Sequence, residues 1–333
     1  MTSVTTSKRL RPSNGLVTVF GGSGFVGRHV VRALAKDGWR IRAAERRPDL
    51  AGHLQPMGSV GQINAVQANL RFPASVERAV AGVDAVVNAV GILAGTGAQT
   101  FDAIHVEGAR ALAKAAKQAG ARMLVHISAI GADAKSKSRY AITKAKGEAA
   151  VLEEFPNAVI LRPSVVFGPE DEFFNRFARM AQFAPVLPAV GGGRTKFQPV
   201  FAGDVAAAVA AVLAGRAQPG AVYELGGPEI VRLREILERV AKYADRNAKP
   251  FPLPFWVAKI LALATTPLPL GLRPITYDQV KLLRRDNIVG EEATRDARTL
   301  QGLGITEPTS IAAIVPAYLE RFRPKGQFSQ YRG

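Results

Sequence analysis

The sequence predicts an α/β fold, in which a doubly wound parallel sheet is accompanied by a smaller C-terminal lobe. Two observations lead to this class. Short apolar runs alternate with stretches of helical periodicity through the first half of the chain, which is the pattern of parallel strands joined by helices. The length of 333 residues suits one large α/β unit with an appended lobe.

The alternation begins with a strand over Leu16–Phe20, a glycine turn over Gly21–Gly27 and a helix over Arg28–Lys36. Continuous apolar runs such as the first are typical of strands buried on both faces of a parallel sheet. Further strands are predicted at Trp39–Ala44, Ile63–Ala68, Ala85–Val90, Met123–Ile127 and Ala158–Leu161, and further helices at Ser75–Ala81, Phe101–Ala119 and Tyr140–Glu153.

Three parts of the chain are predicted: a flexible tail over residues 1–14, a cofactor-binding domain over residues 15–165 and a C-terminal lobe over residues 166–333. From about Pro163 onward, proline and glycine become denser and the alternation loosens. We therefore expect the lobe to be interleaved with the last strands of the sheet. The tail is basic and rich in hydroxyl groups but lacks the apolar core of a secretory signal, and a mitochondrial transit peptide is the alternative.

The composition excludes several kinds of site. There is no cysteine, which excludes disulfides, thiolate metal sites and iron–sulfur clusters. The four histidines are not at ligand spacing to one another, so we expect no bound metal. Lys and Arg number 44 against 27 Asp and Glu, a net charge of +17. That excess predicts a polyanionic partner: nucleic acid, an acidic protein, anionic lipid or a phosphorylated cofactor.

Three glycines mark the point where the first strand turns into a helix. Gly21, Gly24 and Gly27 form the pattern G-x-x-G-x-x-G. Glycine permits a tight turn and a close approach of the backbone to a pyrophosphate, and the following helix N-terminus supplies N–H groups and a positive dipole end. The sequence therefore predicts a dinucleotide site at this turn.

The end of the second strand bears on the choice of cofactor. The run there is Glu45-Arg46-Arg47. An acidic residue at this place binds the ribose 2′-hydroxyl of NAD, whereas arginine accommodates the 2′-phosphate of NADP. Guanidinium groups match phosphate oxygens in bidentate geometry, so the two arginines favour NADP(H), and Glu45 leaves NAD as the alternative.

A tyrosine and a lysine stand four residues apart in a predicted helix. Tyr140 and Lys144 therefore share one helix face, and Ser128 follows a strand that ends at the same cleft. An ammonium group near a phenol lowers the pKa of the phenol and can hold a ribose hydroxyl, while a serine hydroxyl polarises a carbonyl. The three residues are candidate catalytic groups, and a solvated helix face is the alternative.

Several motifs together resemble the extended and atypical short-chain dehydrogenase/reductases. They are Gly21-Gly-Ser-Gly-Phe-Val-Gly27, Asn88-Ala-Val-Gly91, Ser128, Tyr140-x-x-x-Lys144, Arg162-Pro163-Ser-Val-Val-Phe-Gly168-Pro and Phe201-Ala-Gly-Asp204-Val-Ala. This resemblance implies a Rossmann-like domain that binds a dinucleotide, with Ser128, Tyr140 and Lys144 in the catalytic positions. It implies cofactor contacts from Gly21, Ser23, Gly24, Phe25, Gly27, Arg46, Arg47, Asn69, Leu70, Ala89, Val90, Gly91, Tyr140, Lys144 and Pro163.

A narrower resemblance rests on residues 138–148 and on the run from Pro163 to Phe177, which contains Glu-Asp-x-Phe-x-Asn-x-Phe. Both are similar to the NADPH-binding accessory subunits of respiratory complex I, the NADH:ubiquinone oxidoreductase. This similarity implies a tightly bound NADPH without independent catalysis, and docking to other subunits of the peripheral arm near the membrane and the quinone site. It also implies a peripheral location on the inner membrane, at the cytoplasmic face in a bacterium or the matrix face in a mitochondrion.

Two positions depart from the superfamily's pattern. Asn69 replaces the usual acidic residue near the adenine, where its side chain can still bond the amino group of the ring. His105 stands where catalytic members commonly have an asparagine in the proton relay. Because Tyr140 and Lys144 are retained, the alternative is a free NADP-dependent reductase, dehydrogenase or epimerase of a small carbonyl substrate. A redox-sensing regulatory protein is a third possibility.

The basic residues concentrate in the cofactor-binding half, with ten against three acidic residues in residues 1–50. Aromatic residues make up only 7% and no nucleic-acid-reading module is present, so nucleic acid is not expected as a partner. Anionic lipid headgroups or acidic subunits fit the charge better. The apolar segment Phe251–Leu272 is too interrupted by proline and Lys259 to span a bilayer. In this segment Phe255, Trp256, Ile260 and Leu263 recur at helical spacing, either to meet a membrane or subunit or to pack in the lobe's own core.

Overall fold

The computed structural model of the protein describes residues 15–266 and 275–324. The predicted tail over residues 1–14 lies outside the described residues, as do residues 267–272 of the predicted apolar segment. The strands are β1 (Leu16–Phe20), β2 (Arg40–Glu45), β3 (Ile63–Gln67), β4 (Ala85–Asn88), β5 (Met123–Ile127), β6 (Val159–Pro163), β7 (Val166–Phe167), β8 (Val186–Val190), β9 (Lys196–Phe197), β10 (Val200–Phe201), β11 (Val222–Leu225), β12 (Val231–Arg232) and β13 (Lys249–Leu253). The helices are α1 (Phe25–Lys36), α2 (Pro73–Val80), α3 (Gly108–Gln118), α4 (Arg139–Glu154), α5 (Phe174–Phe183), α6 (Ala202–Leu213), α7 (Leu233–Tyr243), α8 (Phe255–Ala264), α9 (Tyr277–Leu282), α10 (Glu291–Arg295) and α11 (Ile311–Leu319).

Seven strands form the central sheet in the order β11-β6-β5-β4-β1-β2-β3. All of its pairings are parallel. Between β1 and β4 the strand order reverses, and in open α/β sheets ligands bind in the crevice outside the carboxyl ends of the strands at such a switch point. The predicted doubly wound, Rossmann-like fold is confirmed, and its topology places the glycine turn at this crevice.

Two helical layers cover the sheet. Apolar side chains of α1 and α6 share one buried cluster with the strands, and those of α2, α3 and α4 share another. Helix α6 and strand β11 therefore belong to the sheet domain, although both lie in residues 166–333. The division at residue 165 stays a prediction, and the interleaving of the later chain with the sheet is visible in these two elements.

The C-terminal lobe has its own core, built mainly from α5, α7 and α11. Three two-stranded sheets accompany it: β7 with β10, β8 with β13, and β9 with β12. Among residues 15–266 and 275–324, no helix combines the length and the apolar character that crossing a bilayer requires.

The acidic–aromatic run after Gly168 has a structural role in joining two helices of the lobe. Asp171 Oδ1 accepts the N–H groups of Phe174 and Asn175 at 2.7 and 3.1 Å, which caps the start of α5. The other carboxylate oxygen accepts the hydroxyl of Tyr318 on α11 at 2.5 Å. This motif, which carries the narrower resemblance, thus fixes the segment after Gly168-Pro169 to helix α11.

Several predicted boundaries differ from the structure by one to three residues, as three examples illustrate. The strand predicted over Ala85–Val90 ends at Asn88, whose side-chain oxygen accepts the Val90 N–H at 3.1 Å and turns the chain. The first helix begins at Phe25 rather than Arg28. The helix predicted over Phe101–Ala119 starts with a π-helical segment, Asp102–Glu107, before α3 begins.

Candidate functional site

The glycine turn is closed so tightly that one of its positions has no room for a side chain. A Cβ at Gly27 would lie 1.9 Å from the carbonyl oxygen of Gly21. Gly21 itself has φ of 77°, a left-handed conformation that glycine adopts without strain. Gly24 N–H donates to Gly21 O at 3.1 Å, and α1 begins at the next residue. The predicted Gly21, Gly24 and Gly27 therefore come together where the helix N-terminus meets the switch-point crevice.

Glu45 at the end of β2 holds this turn. Its Oε1 accepts the backbone N–H of Ser23 at 2.6 Å, and burial raises the pKa of its carboxyl group. Arg47 is paired with Asp49 at 2.7 Å. Arg46 is exposed, and within the described part of the chain its guanidinium has no ion pair or hydrogen bond. Of the three residues that bear on the cofactor, Arg46 is thus the one available to a phosphate.

On the other side of the switch point, a buried pair positions the loop after β4. His126 Nδ1 lies 3.1 Å from Asn88 Nδ2, and Asn88 Oδ1 accepts the Val90 N–H. Ala89 N–H donates to Phe20 O at 3.0 Å. A Cβ at Gly21 would lie 3.2 Å from Val90, so the predicted residues of the two loops are in contact across the crevice.

Lys144 and Ser128 face this crevice from α4 and β5. The Lys144 ammonium donates to Ile127 O at 3.2 Å, and a Cβ at Gly91 would lie 3.5 Å from its Nζ. Ser128 is buried, and its hydroxyl oxygen has no hydrogen-bond partner among the described residues. Because buried hydroxyl groups in native proteins are almost always bonded, Ser128 Oγ is an open position for a polar group of a ligand.

Tyr140 lies beside Phe101 and His105, with ring centroids 6.1 and 5.6 Å away in edge-on geometry. Burial raises the pKa of Tyr140 to about 12. It also lowers the pKa of Lys144 to about 8. The lowering of the phenol pKa that we expected from Lys144 is therefore absent, and burial alone sets the direction of the shift.

His105 is held by hydrogen bonds at both ring nitrogens. Its Nε2 accepts the Ile92 N–H at 3.2 Å, and its Nδ1 lies 3.1 Å from the hydroxyl of Thr143 on α4. The Thr143 hydroxyl in turn donates to the carbonyl of Arg139 at 2.9 Å. Nδ1 therefore carries the ring proton and donates a hydrogen bond to the Thr143 oxygen. Burial and the Lys144 charge lower the pKa of His105 to about 3. The imidazole is neutral and both of its nitrogens are hydrogen-bonded, which leaves neither nitrogen to relay a proton.

The remaining predicted contacts lie around the same crevice. Asn69, after β3, uses its side-chain oxygen to accept the Arg71 N–H at 3.1 Å. Leu70 is buried, and its side chain packs against Gly108, where an added Cβ would lie 2.9 Å from the Leu70 Cβ. Phe25, at the start of α1, packs under Gly168, and the Pro163 carbonyl at the end of β6 accepts the Ile130 N–H at 2.9 Å.

Arg28 is a candidate site residue that the sequence reasoning missed. Its guanidinium donates to Ser23 O at 2.9 Å and to Gly24 O at 3.2 Å, and it pairs with Glu170 at 3.2 Å. A cation on the glycine turn itself is well placed to face a pyrophosphate. Its position directly after the third glycine was the signal that could have found it.

The comparisons with known proteins agree with this geometry. Residues 17–226 match the family model described as the NAD dependent epimerase/dehydratase family. The chain belongs to this family. A solved structure of the NADPH-dependent quinone oxidoreductase of Escherichia coli, complexed with NADPH, superposes with a TM-score of 0.71, at 22% identity over 91% of this chain and 99% of that chain.

Two curated relatives extend the comparison. One is "NADH dehydrogenase [ubiquinone] 1 alpha subcomplex subunit 9, mitochondrial" of Arabidopsis thaliana, 34% identical over 300 residues, which are 87% of this chain and 75% of the relative. The other is a ceramide reductase of Caulobacter vibrioides, 35% identical over 178 residues, 54% of this chain and 55% of the relative. The predicted resemblance to complex I accessory subunits is thereby confirmed.

The residues at the crevice fit a nicotinamide dinucleotide. The glycine turn places the N-terminus of α1 at the crevice, Ser128 offers an unbonded hydroxyl, and Lys144 lies next to Gly91. When bound, such a cofactor can supply or accept a hydride. Gly21, Gly24 and Arg28 would hold its pyrophosphate, and Ser128, Tyr140 and Lys144 would hold its ribose and nicotinamide end.

The low pKa of Lys144 gives the cofactor-free protein a characteristic pH dependence. Its folded-state pKa of about 8 lies below the unfolded value of 10.5, so between these values the unfolded chain binds the extra proton. Stability contributed at this site therefore rises with pH across that window. We expect the free energy of unfolding of the wild type, minus that of Lys144→Met, to increase by up to about 3 kcal/mol from pH 7.5 to pH 10.5. Urea unfolding at a series of pH values measures it, and parallel curves for the two proteins would contradict it.

Proposed function

We propose that this protein is an NADPH-binding accessory subunit of respiratory complex I without turnover of its own. It would stabilise the peripheral arm near the membrane and the quinone site. The observation that carries the proposal is the extent of the similarity to the Arabidopsis thaliana subunit. An alignment over 87% of the chain includes much of the C-terminal lobe as well as the cofactor-binding domain, whereas the ceramide reductase match covers 54%.

The geometry around Tyr140 supports a binding role over a catalytic one. Turnover through a tyrosine requires the phenol to exchange its proton with solvent through a relay. At the place of the usual asparagine, His105 is locked between Ile92 and Thr143. The raised pKa of Tyr140 also makes the phenol a weaker acid, which disfavours proton donation to a carbonyl oxygen. Tyr140 and Lys144 then serve to hold the ribose and nicotinamide.

The complex I assignment is tested in an organism that carries this chain, after deletion of its gene. We expect deletion to reduce the amount of assembled complex I in native gels and the NADH:ubiquinone oxidoreductase activity of membranes. Wild-type protein restores both, and so does Tyr140→Phe, because a structural subunit does not need the phenol proton. Unchanged complex I after deletion overturns the assignment.

Arg46 supports NADPH as the bound form. Its guanidinium is exposed and free of ion pairs within the described residues, while Glu45 is withdrawn onto the Ser23 N–H. A charge-assisted phosphate contact is worth about 1.5–3 kcal/mol. We therefore expect Arg46→Ala to weaken NADPH binding about tenfold to hundredfold and to leave NADH binding within about twofold.

Arg47→Ala is the matched control, because Arg47 is already paired with Asp49 on the same turn. Its effect on NADPH affinity should be at most a few fold. Fluorescence titration of both variants with NADPH and NADH gives the four dissociation constants. Equal or tighter binding of NADH than NADPH by the wild type would contradict the choice of cofactor.

Helix α8 presents an apolar face to solvent, which supports docking at a membrane surface. Trp256, Ile260 and Leu263 are 66%, 58% and 59% exposed, while Ala258 and Ala262 on the opposite side are buried. The neighbouring helix α9 contains Lys281, and Arg284 and Arg285 follow its end. The Arg284 guanidinium stacks on the Phe255 ring at 5.1 Å. An exposed apolar helix face flanked by cations is the arrangement that binds anionic lipid headgroups. Trp256, Ile260 and Leu263 therefore support the exposed-surface alternative, whereas Phe255 packs against the small buried cluster of α8 and α9.

Charges placed on this face should release the protein from membranes. The double variant Trp256→Glu/Ile260→Glu removes two side chains, each worth about 1.5–3 kcal/mol when buried. We expect it to lower the bound fraction on phosphatidylcholine vesicles containing phosphatidylglycerol at least about tenfold. Leu50→Glu is the control, since Leu50 is equally exposed at 66% but lies in the cofactor-binding domain. Co-sedimentation equal to that of the wild type would count against lipid docking.

The second candidate function is a free NADP-dependent reductase of a carbonyl substrate. It is favoured by the unbonded Ser128 hydroxyl, which could donate to the oxygen of a substrate carbonyl as well as to that of a nicotinamide amide, and by the match to a ceramide reductase. In that case Tyr140 is the general acid and Lys144 its partner. Substrate-dependent oxidation of NADPH that Tyr140→Phe abolishes would establish this function in place of the first.

A further inference from the structure

A single carboxylate from the C-terminal lobe caps the helix that carries Tyr140 and Lys144. Asp278 Oδ1 accepts the Arg139 N–H at 2.9 Å, and its Oδ2 accepts the Tyr140 N–H at 3.0 Å. The Ser138 hydroxyl also donates to Oδ2 at 2.6 Å. Ser138 is itself the N-cap residue of α4. The first turn of α4 therefore depends on a residue about 140 positions away in the sequence.

This cap is worth more than an ordinary surface contact. The first N–H groups of a helix have no intrahelical acceptor, and a negative charge at the N-terminus also interacts favourably with the helix dipole. One of the groups that Asp278 satisfies is the backbone N–H of Tyr140 itself. Lys144 follows one helical turn later. Any shift of the carboxylate would move the part of α4 that faces the cofactor crevice.

The carboxylate is fixed on the side of the lobe that carries the exposed apolar face. Helix α9 begins with a capping box between Thr276 and Gln279, which sets the orientation of its first turn. Val280 on α9 shares a small buried cluster with Ala258 and Ala262 of α8. Helix α8 therefore packs directly on the helix that holds Asp278, and its opposite side is the apolar docking face.

We propose that Asp278 is a positioning residue that couples the α8 docking face to the cofactor site. When α8 and α9 are held in place, Asp278 fixes the first turn of α4 and with it Tyr140 and Lys144. Dinucleotide affinity then depends on the placement of α8 and α9. By linkage, a bound dinucleotide stabilises the placement of α8 and α9 to the same extent. This inference rests on the proposed dinucleotide-binding function and adds its regulation by docking.

The test uses Asp278→Ala and the isosteric Asp278→Asn in the full-length protein. The Asn side chain keeps the shape but replaces one acceptor oxygen by a donor that faces N–H groups. The control is Arg234→Gln, which breaks an exposed ion pair with Glu238 within α7, elsewhere in the same lobe. NADPH dissociation constants, cofactor-free unfolding by urea, and hydrogen exchange with and without NADPH are measured for each protein.

We expect Asp278→Ala and Asp278→Asn to weaken NADPH binding about tenfold, and Arg234→Gln to change it less than about twofold. In the wild type, NADPH should slow amide exchange in residues 255–266 and 275–285. In both Asp278 variants at saturating NADPH that slowing should be lost. Asp278→Glu should recover part of the affinity.

Unchanged NADPH affinity in both Asp278 variants overturns the proposal, and so does NADPH-dependent slowing that persists without the carboxylate. A loss of cofactor-free stability with unaltered affinity and exchange also overturns it, because it shows a purely structural cap. If the wild type binds no NADPH, the dinucleotide function itself fails, and this outcome is distinct from the others.

Discussion

Replacement of Gly27 by alanine is expected to abolish NADPH binding and to lower the free energy of unfolding by about 3 kcal/mol. The added Cβ would lie 1.9 Å from the Gly21 carbonyl oxygen, and 2.7 and 2.8 Å from further backbone atoms of Gly21 and Gly22. All three are backbone atoms of the turn, so the clash cannot be relieved by a side-chain rotation. The turn must open, which moves the N–H groups that would face the pyrophosphate.

Fluorescence titration with NADPH and urea unfolding measure the two effects. Gly52→Ala is the control, because a Cβ at Gly52 meets no heavy atom within 4 Å. That substitution should leave NADPH affinity unchanged and alter stability by no more than about 0.5 kcal/mol. Wild-type NADPH affinity in Gly27→Ala would show that the dinucleotide does not lie on this turn.

The second large effect is expected from Arg162→Ala, which should cost about 3–5 kcal/mol of stability. Arg162 at the end of β6 forms a bidentate pair with Glu148 of α4, with bonds of 2.9 and 2.6 Å. Glu224 on β11 lies 3.6 Å from the same guanidinium. The Glu148 side chain is only 6% exposed. Removal of the guanidinium leaves two carboxylates facing each other with little solvent.

Arg110→Ala on α3 provides the comparison, because its partner Glu153 lies on α4 as Glu148 does. Arg110 pairs with Glu153 at 2.7 Å, near the end of α4, but the Glu153 side chain is 65% exposed. Exposed pairs contribute about 0–1 kcal/mol. Urea unfolding of the cofactor-free proteins separates the two cases. A loss below about 1 kcal/mol in Arg162→Ala would mean that solvent reaches the Glu148 pair and that α4 is not anchored through it.

Local sequence signals were sufficient for the sheet and for the cofactor turn. The apolar runs that became β1 and β5 were found with their correct ends, because a strand buried on both faces leaves an uninterrupted apolar signature. Gly21, Gly24 and Gly27 were found because a tight turn between strand and helix admits few other residues. The end of β2 drew attention to Arg46 through its residue type alone, and the contact of Arg46 with a phosphate stays a prediction.

Features that depend on long-range contacts left no such signal. Asp278 lies in a six-residue helix, and nothing in its neighbourhood points to the first turn of α4. The lock on His105 needs Ile92 and Thr143, which only the folded chain brings to its two nitrogens. The shift of the Tyr140 pKa was misjudged for the same reason, because burial by Phe101 and His105 is a tertiary property. The packing of helix α6 on α1 is likewise a tertiary contact that the sequence does not reveal.

Purification of the native protein from membranes tests the central proposal most directly. The mildly solubilised protein is resolved on a native gel, its companions are identified by mass spectrometry, and its nucleotide is extracted. We expect the chain to migrate with complex I subunits and to carry NADPH. A chain that migrates alone and oxidises NADPH with a carbonyl substrate would contradict the assignment and establish a free reductase.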